Sequence, residues 1–161
     1  IAECIEGLTD YIIKRITHEE IKLIAVRLSE TIFLTQILDR LINIGMLKEA
    51  KSDFIQSVET YFRDQCVPGL SKWHSLQFSE KVLKAFIGSK GEKYGYTHNL
   101  CELLKKAADC GLSNVEKYDV KIIQCKPEVR YGSDLVSAED AYNAHIEAIK
   151  LAIYTLAEIN D

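Results

Sequence analysis

Apolar residues along the chain recur at spacings of three and four, and no stretch alternates long enough to describe a half-buried strand. The pattern therefore predicts five or six helices and no strands. The first covers about Glu3 to Arg15. Thr17, with Glu20 three residues on, has the spacing of a capping box and opens a long helical stretch to about Asn43, with Gly45 as its stop. Ile21, Ile24, Leu28, Ile32, Leu38, Leu41 and Ile42 give that stretch a broad apolar face, and Ser29 to Thr31 is a candidate break within it.

A third helix is expected over about Leu47 to Cys66, ended by Pro68-Gly69, and a fourth over about Ser71 to Gly88, followed by the glycine-bearing run GSKGEKYGYT. A fifth starts near Asn99, whose side chain can cap it while Glu102 reaches back, and stops at Gly111. A shorter helix is expected over about Glu116 to Cys125. The last opens on Ser137 and Asp140 in capping-box spacing and runs to about Ile159. Its polar residues, Asp140, Asn143, Glu147, Lys150 and Glu158, form one narrow stripe, which makes it the central element of a bundle. The predicted fold is all-α: an antiparallel, up-and-down bundle of about five helices over residues 46–161, preceded by a helical extension over residues 1–45.

Composition adds little to this picture except exclusions. With 47% hydrophobic and 27% charged residues and only 2 prolines in 161, the chain suits a packed core rather than disorder. A net charge of −4 with scattered lysines and arginines gives no footprint for sequence-independent binding to nucleic acid, though a local basic pocket is compatible with it. Five cysteines with no Cys-x-x-Cys pair argue against a disulfide scaffold or a zinc ribbon, and reduced thiols fit a cytoplasmic protein. No apolar run is long enough to span a bilayer.

Candidate chemistry begins with an anomaly on the fourth helix. Trp73, Leu76, Leu83 and Ile87 share one face, and Glu80 sits in the middle of it. A carboxylate there must be paired or hydrogen-bonded, since an isolated buried charge costs several kcal/mol. Lys84 is one turn on but weak by itself as an exposed pair, so His98 or Arg130 from elsewhere is the better partner, and Glu80 reads first as a structural polar link between helices. His74, Gln77, Lys81 and Lys84 flank the same face and form a small basic and polar patch beside Trp73; a phosphate or nucleobase site and a plain solvated face explain it equally. On the last helix His145 lies opposite the polar stripe and reads as a core or interface histidine. His98 and Cys101 have metal-ligand spacing, but two further ligands are missing, so no metal site is expected. Phosphate-loop, nucleophile-elbow, zinc-protease and dinucleotide motifs are all absent, so no cofactor is expected. The segment from Leu28 to Leu47 resembles a helix-turn-helix, but Arg27 and Arg40 alone are available for DNA, and core packing accounts for it better.

The run WHSLQFSEKVLKAFIGSKG from Trp73 to Gly91, then YTHNLCELLKKAADCGL, RYG and SAEDAYNAHIEAIKLAIYTLAEI in that order, resembles the HEPN domain family over roughly Leu47 to Ile159. The resemblance implies a helical bundle, commonly a homodimer, found beside nucleotidyltransferases in toxin–antitoxin-like pairs or fused to other domains, with nucleotide binding or RNA cleavage in several branches. The ribonuclease branch places a histidine about four to six residues after an arginine at the start of the last helix. None of the five arginines, Arg15, Arg27, Arg40, Arg63 and Arg130, has one there, so the chain is similar instead to the Arg-Tyr branch. Carried over residue by residue, this puts Lys81, Lys84, His98, Arg130 and Tyr131, with Trp73, near a nucleotide site and assigns no catalytic residue. The leading expectation is a non-catalytic domain binding a nucleotide such as ATP or GTP, or RNA, in a small basic pocket. The alternatives are a dimerisation module using the last helix and the N-terminal extension, and an atypical ribonuclease using His145 or His98 with Arg130.

Overall fold

A computed structural model describes residues 14–62 and 66–159. Most of the first expected helix, from Glu3 to Ile13, lies outside the described residues, and Lys14 and Arg15 form a turn. The fold is all-α, and no strand occurs among the described residues. The helices are α1 (His18–Arg40), α2 (Leu47–Phe62), α3 (Pro68–Ser89), α4 (Leu100–Asp109), the short α5 (Val120–Ile123) and α6 (Ala138–Ala157); 3-10 turns cover Val115–Lys117 and Pro127–Tyr131. None of the described helices is long and apolar enough to cross a membrane.

Both expected capping boxes are formed. Thr17 and Glu20 exchange hydrogen bonds at the start of α1, and Ser137 and Asp140 do so at the start of α6. The candidate break at Ser29 to Thr31 does not occur, and α1 runs unbroken through it. The hydroxyls that make these residues candidates for a break donate inside the helix instead, Ser29 to the Ala25 carbonyl at 2.8 Å and Thr31 to that of Arg27 at 2.9 Å.

The fourth helix starts earlier than expected. Pro68 stands in its first turn, where a missing N–H costs nothing, so Pro68-Gly69 opens α3 instead of only ending α2. Gly69 is required there by a close approach: a methyl group in its place would sit 2.3 Å from the Val129 carbonyl oxygen. The Pro127–Tyr131 turn thereby rests directly on the first turn of α3. The helix expected over Glu116 to Cys125 is replaced by the 3-10 turn Val115–Lys117 and the four-residue α5, because Asp119 interrupts the run and caps the Lys121 N–H at 3.1 Å.

The core is built around α3, which packs against α2 on one side and α6 on another. Phe78, Val82, Leu83, Phe86 and Ile87 from α3 and Ile149, Leu151, Ala152 and Leu156 from α6 are all nearly or fully buried. Small residues at Ala141, Ala144, Ala148 and Ala152 on α6 are each 0% exposed, which lets its backbone approach its neighbours closely. Leu34, Ile37, Leu38 and Leu41 of α1 and its C-terminal cap belong to this same core. Most of the polar stripe on α6 faces outward, while Glu147 turns in far enough to accept the Asp119 backbone N–H at 3.2 Å and so ties α5 to α6.

Candidate functional site

Glu80 is buried in the middle of α3, only 4% exposed. Its carboxylate accepts a hydrogen bond from the Lys84 ammonium at 2.7 Å, and Lys84 is itself 6% exposed. His98, from the segment leading into α4, places Nδ1 3.0 Å from Oε2 and 3.1 Å from Oε1, and the Gln77 amide nitrogen lies 3.5 Å from Oε2. Of the two long-range partners considered from sequence, His98 is therefore the one the fold supplies. A carboxylate facing an ammonium is an acceptor, so His98 donates from Nδ1 and turns Nε2 outward. The exposed His98 imidazole, 74% accessible, sits at the outer end of a link whose inner end is closed to water. Tyr94 from the glycine-bearing run covers the Lys84 ammonium, with its ring centre 5.5 Å away.

Lys81 and His74 belong to a different group. Both point at Asp53 of α2, His74 Nδ1 at 3.0 Å from Oδ1 and Lys81 bonded to Oδ2. Burial works to raise the Asp53 carboxyl, but the hydrogen bonds from His74 and Lys81 and the Lys81 charge outweigh it and hold the group below the ordinary carboxylate value. Asp53 carried no sequence signal, since its partners come from the next helix and only the tertiary contact identifies it.

Arg130 goes elsewhere again. Its guanidinium lies over the Trp73 ring at 4.4 Å and near the Tyr131 ring at 5.1 Å, while Nε donates to the Pro127 carbonyl at 3.1 Å. These contacts, rather than either histidine, define its position. Beside the stack opens a cleft of about 470 Å³ between α3, the start of α4 and the chain around Pro127. Trp73, Leu76, Cys125 and Pro127 make its apolar wall, and Gln77, His98, Asn99 and Gln124 make its polar rim. Burial pushes the Cys125 thiol up to about 11, so it acts as part of the wall and not as a nucleophile. The positive charge of Lys72 acts on that same thiol, which places a further cation within electrostatic reach of the cleft. Of the sequence candidates, Trp73 and His98 thus line the cleft, Arg130 and Tyr131 stack beside it, Lys84 and Glu80 lie behind His98, and Lys81 is engaged by Asp53.

The N-terminus of α4 forms part of the rim but is closed as an anion site. Asn99 Oδ1 accepts the N–H groups of Cys101 at 2.9 Å and Glu102 at 3.3 Å, and Gln124 Oε1 accepts that of Leu100 at 2.9 Å. Glu102 does not reach back to the cap as expected from its spacing; its carboxylate takes the Thr97 hydroxyl at 2.7 Å instead. Among the described residues no three His, Cys, Asp or Glu side chains gather to hold a metal ion.

His145 lies on the far side of the core. Its ring stacks on Phe54 with centroids 5.5 Å apart, and Nδ1 is 2.9 Å from the Ser57 hydroxyl. That hydroxyl already donates to the Phe54 carbonyl at 2.7 Å, so its single hydrogen is occupied and the imidazole is the donor. This polarity is the reverse of a histidine activating a serine, and Ser57 is 1% exposed. No family model, no curated protein and no solved structure matches the chain.

Burial pushes the His145 imidazole down to about 4 from an ordinary value near 6.5. The unfolded chain then binds a proton that the folded chain refuses between those values, so His145 lowers stability as pH falls from about 6.5 to 4 and has no effect above. Urea unfolding of the wild type and of His145→Gln across this range is expected to show a wild-type loss larger by up to about 3 kcal/mol at the acid end. Parallel curves would contradict the assignment.

Proposed function

We propose that the chain is a HEPN-like helical domain that binds a nucleotide in the cleft beside Trp73 and does so without chemistry of its own. The observation that carries this reading is the Arg130 guanidinium stacked over Trp73 at the edge of a cleft of about 470 Å³, a volume within the usual range for small-molecule sites. An apolar wall bearing an indole, with amides and an imidazole along one rim, suits a flat heterocycle that needs a stacking surface and a few oriented hydrogen bonds. Arg130, with Lys72 and the exposed Lys126 nearby in the chain, supplies charge for the phosphates. Lys81 and Lys84 have a different part in this reading: each neutralises a carboxylate inside the bundle, and Lys84 holds the Glu80 link on which His98 is positioned.

Trp73 is the only tryptophan in the chain, so its fluorescence reports on this cleft alone. Titration with GTP and with ATP is expected to change the emission saturably for at least one of them, and Arg130→Ala is expected to weaken that ligand about tenfold. An emission unchanged by either nucleotide up to about 1 mM would contradict the reading.

A second reading, which does not exclude the first, rests on α1. Ile21, Leu28 and Ile32 are 39%, 39% and 50% exposed and lie on the side of α1 opposite Leu34, Ile37 and Leu41. The apolar face of α6, by contrast, is used inside the core. We propose that a second copy of the chain covers the α1 stripe, because its Ile-Ala-Leu-Ile spacing at 21, 25, 28 and 32 meets itself when two copies run antiparallel, as an isologous contact requires. Sedimentation equilibrium is expected to show a dimer for the wild type and a monomer, with unchanged helix content, for Leu28→Glu/Ile32→Glu. A wild type that stays monomeric at all concentrations would contradict it.

A further inference from the structure

The rim of the cleft has a fixed polarity. The two ends of an amide side chain have the same shape, and their partners show which is oxygen and which is nitrogen. Here the partners settle it. A backbone N–H can only donate, so the atom of Gln124 that meets Leu100 N at 2.9 Å and the atom of Asn99 that meets Cys101 N at 2.9 Å must be the carbonyl oxygens. Both carbonyls are thus held on the first turn of α4, and both NH2 groups are left without a bond to any described residue on side chains that line the cleft. Gln124 is anchored on Leu100 and Asn99 on the next residue, Cys101, so the two amides are held side by side at the start of α4 and the cleft presents a neighbouring pair of donors. Neither amide can turn over without leaving a helix-terminal N–H unpaired.

Resting on the nucleotide reading above, we infer that the cleft selects a 6-oxopurine, the guanine class, over adenine. Guanine carries two adjacent acceptors, O6 and N7, on one edge, whereas adenine carries one acceptor and one amino donor there. The paired NH2 groups of Asn99 and Gln124 match the guanine edge, and on adenine one of them meets an N–H donor head on. The rest of the polar rim agrees in sign. Gln77 directs its nitrogen toward Glu80 and keeps its oxygen as an acceptor for the N1–H and 2-amino donors of guanine.

The test is a titration of the whole chain with GMP, IMP and AMP, followed by Trp73 fluorescence, for the wild type and for Asn99→Asp and Gln124→Glu. These substitutions keep the oxygen that accepts the α4 N–H and replace only the NH2 group, so the melting temperature is expected to hold while the readout moves. GMP and IMP are expected to bind about tenfold or more tighter than AMP. In either variant the GMP:AMP affinity ratio is expected to fall toward one, a comparison in which the added charge cancels because both ligands carry the same phosphate. AMP binding as well as or better than GMP would overturn the selectivity and leave the nucleotide site standing. IMP binding as weakly as AMP would overturn the O6/N7 edge. Binding of none of the three would overturn the selectivity together with the nucleotide reading it rests on.

Discussion

The buried carboxylate of Glu80 is the constraint around which the rest of the candidate site is arranged. A charge enclosed in α3 among Leu76, Leu83 and Ile87 is tolerable only if its acceptor positions are filled, and the fold fills them with an ammonium from its own helix and an imidazole from a distant segment. As an exposed i,i+4 pair, Glu80 and Lys84 would contribute a few tenths of a kcal/mol. Enclosed as they are, each makes the other's burial tolerable, and losing either leaves an uncompensated charge in the core.

The same bond has a geometric consequence. His98 stands one residue before the N-cap of α4, so the hydrogen bond to Glu80 fixes where α4 begins relative to α3. Gln124, reaching from beyond α5 to the Leu100 N–H, pins that start from the other side. Gly69 then lets the Pro127–Tyr131 turn settle on the first turn of α3, which brings Arg130 over Trp73. The cleft is the space left between these three anchors. Its polar rim consists of the side chains that hold it open, and for that reason each has one end engaged and one end free.

The sequence made legible whatever depends on periodicity and local spacing. The all-α fold, both capping boxes and the burial of Glu80 all follow from residues within one or two turns of each other. What it did not show depends on tertiary contact. Pro68-Gly69 has the composition of a helix terminator at either end, and only the approach of Val129 reveals that it opens α3. Asp119 splits the expected helix before Cys125 because its cap bond competes with continuation, a choice that weak apolar spacing leaves open. At the site, Trp73, Glu80, Lys84 and His98 carried signals, whereas Asp53, which engages Lys81, and Gln124, which anchors α4, look like ordinary surface residues until their partners are in place. Arg130 was a candidate partner for Glu80 on charge alone; stacking on Trp73 is a matter of loop geometry that charge does not encode.

The most direct test of the dependence on Glu80 is a double-mutant cycle by urea unfolding, using Glu80→Leu, Lys84→Met and the two together. Each single substitution is expected to destabilise the chain by roughly 3–5 kcal/mol, because it leaves one enclosed charge or cavity without its counterpart, and the double variant is expected to lose far less than the sum. Losses that simply add would contradict the account, since they would mean that the two groups are tolerated independently and that the Glu80 link does not organise the site.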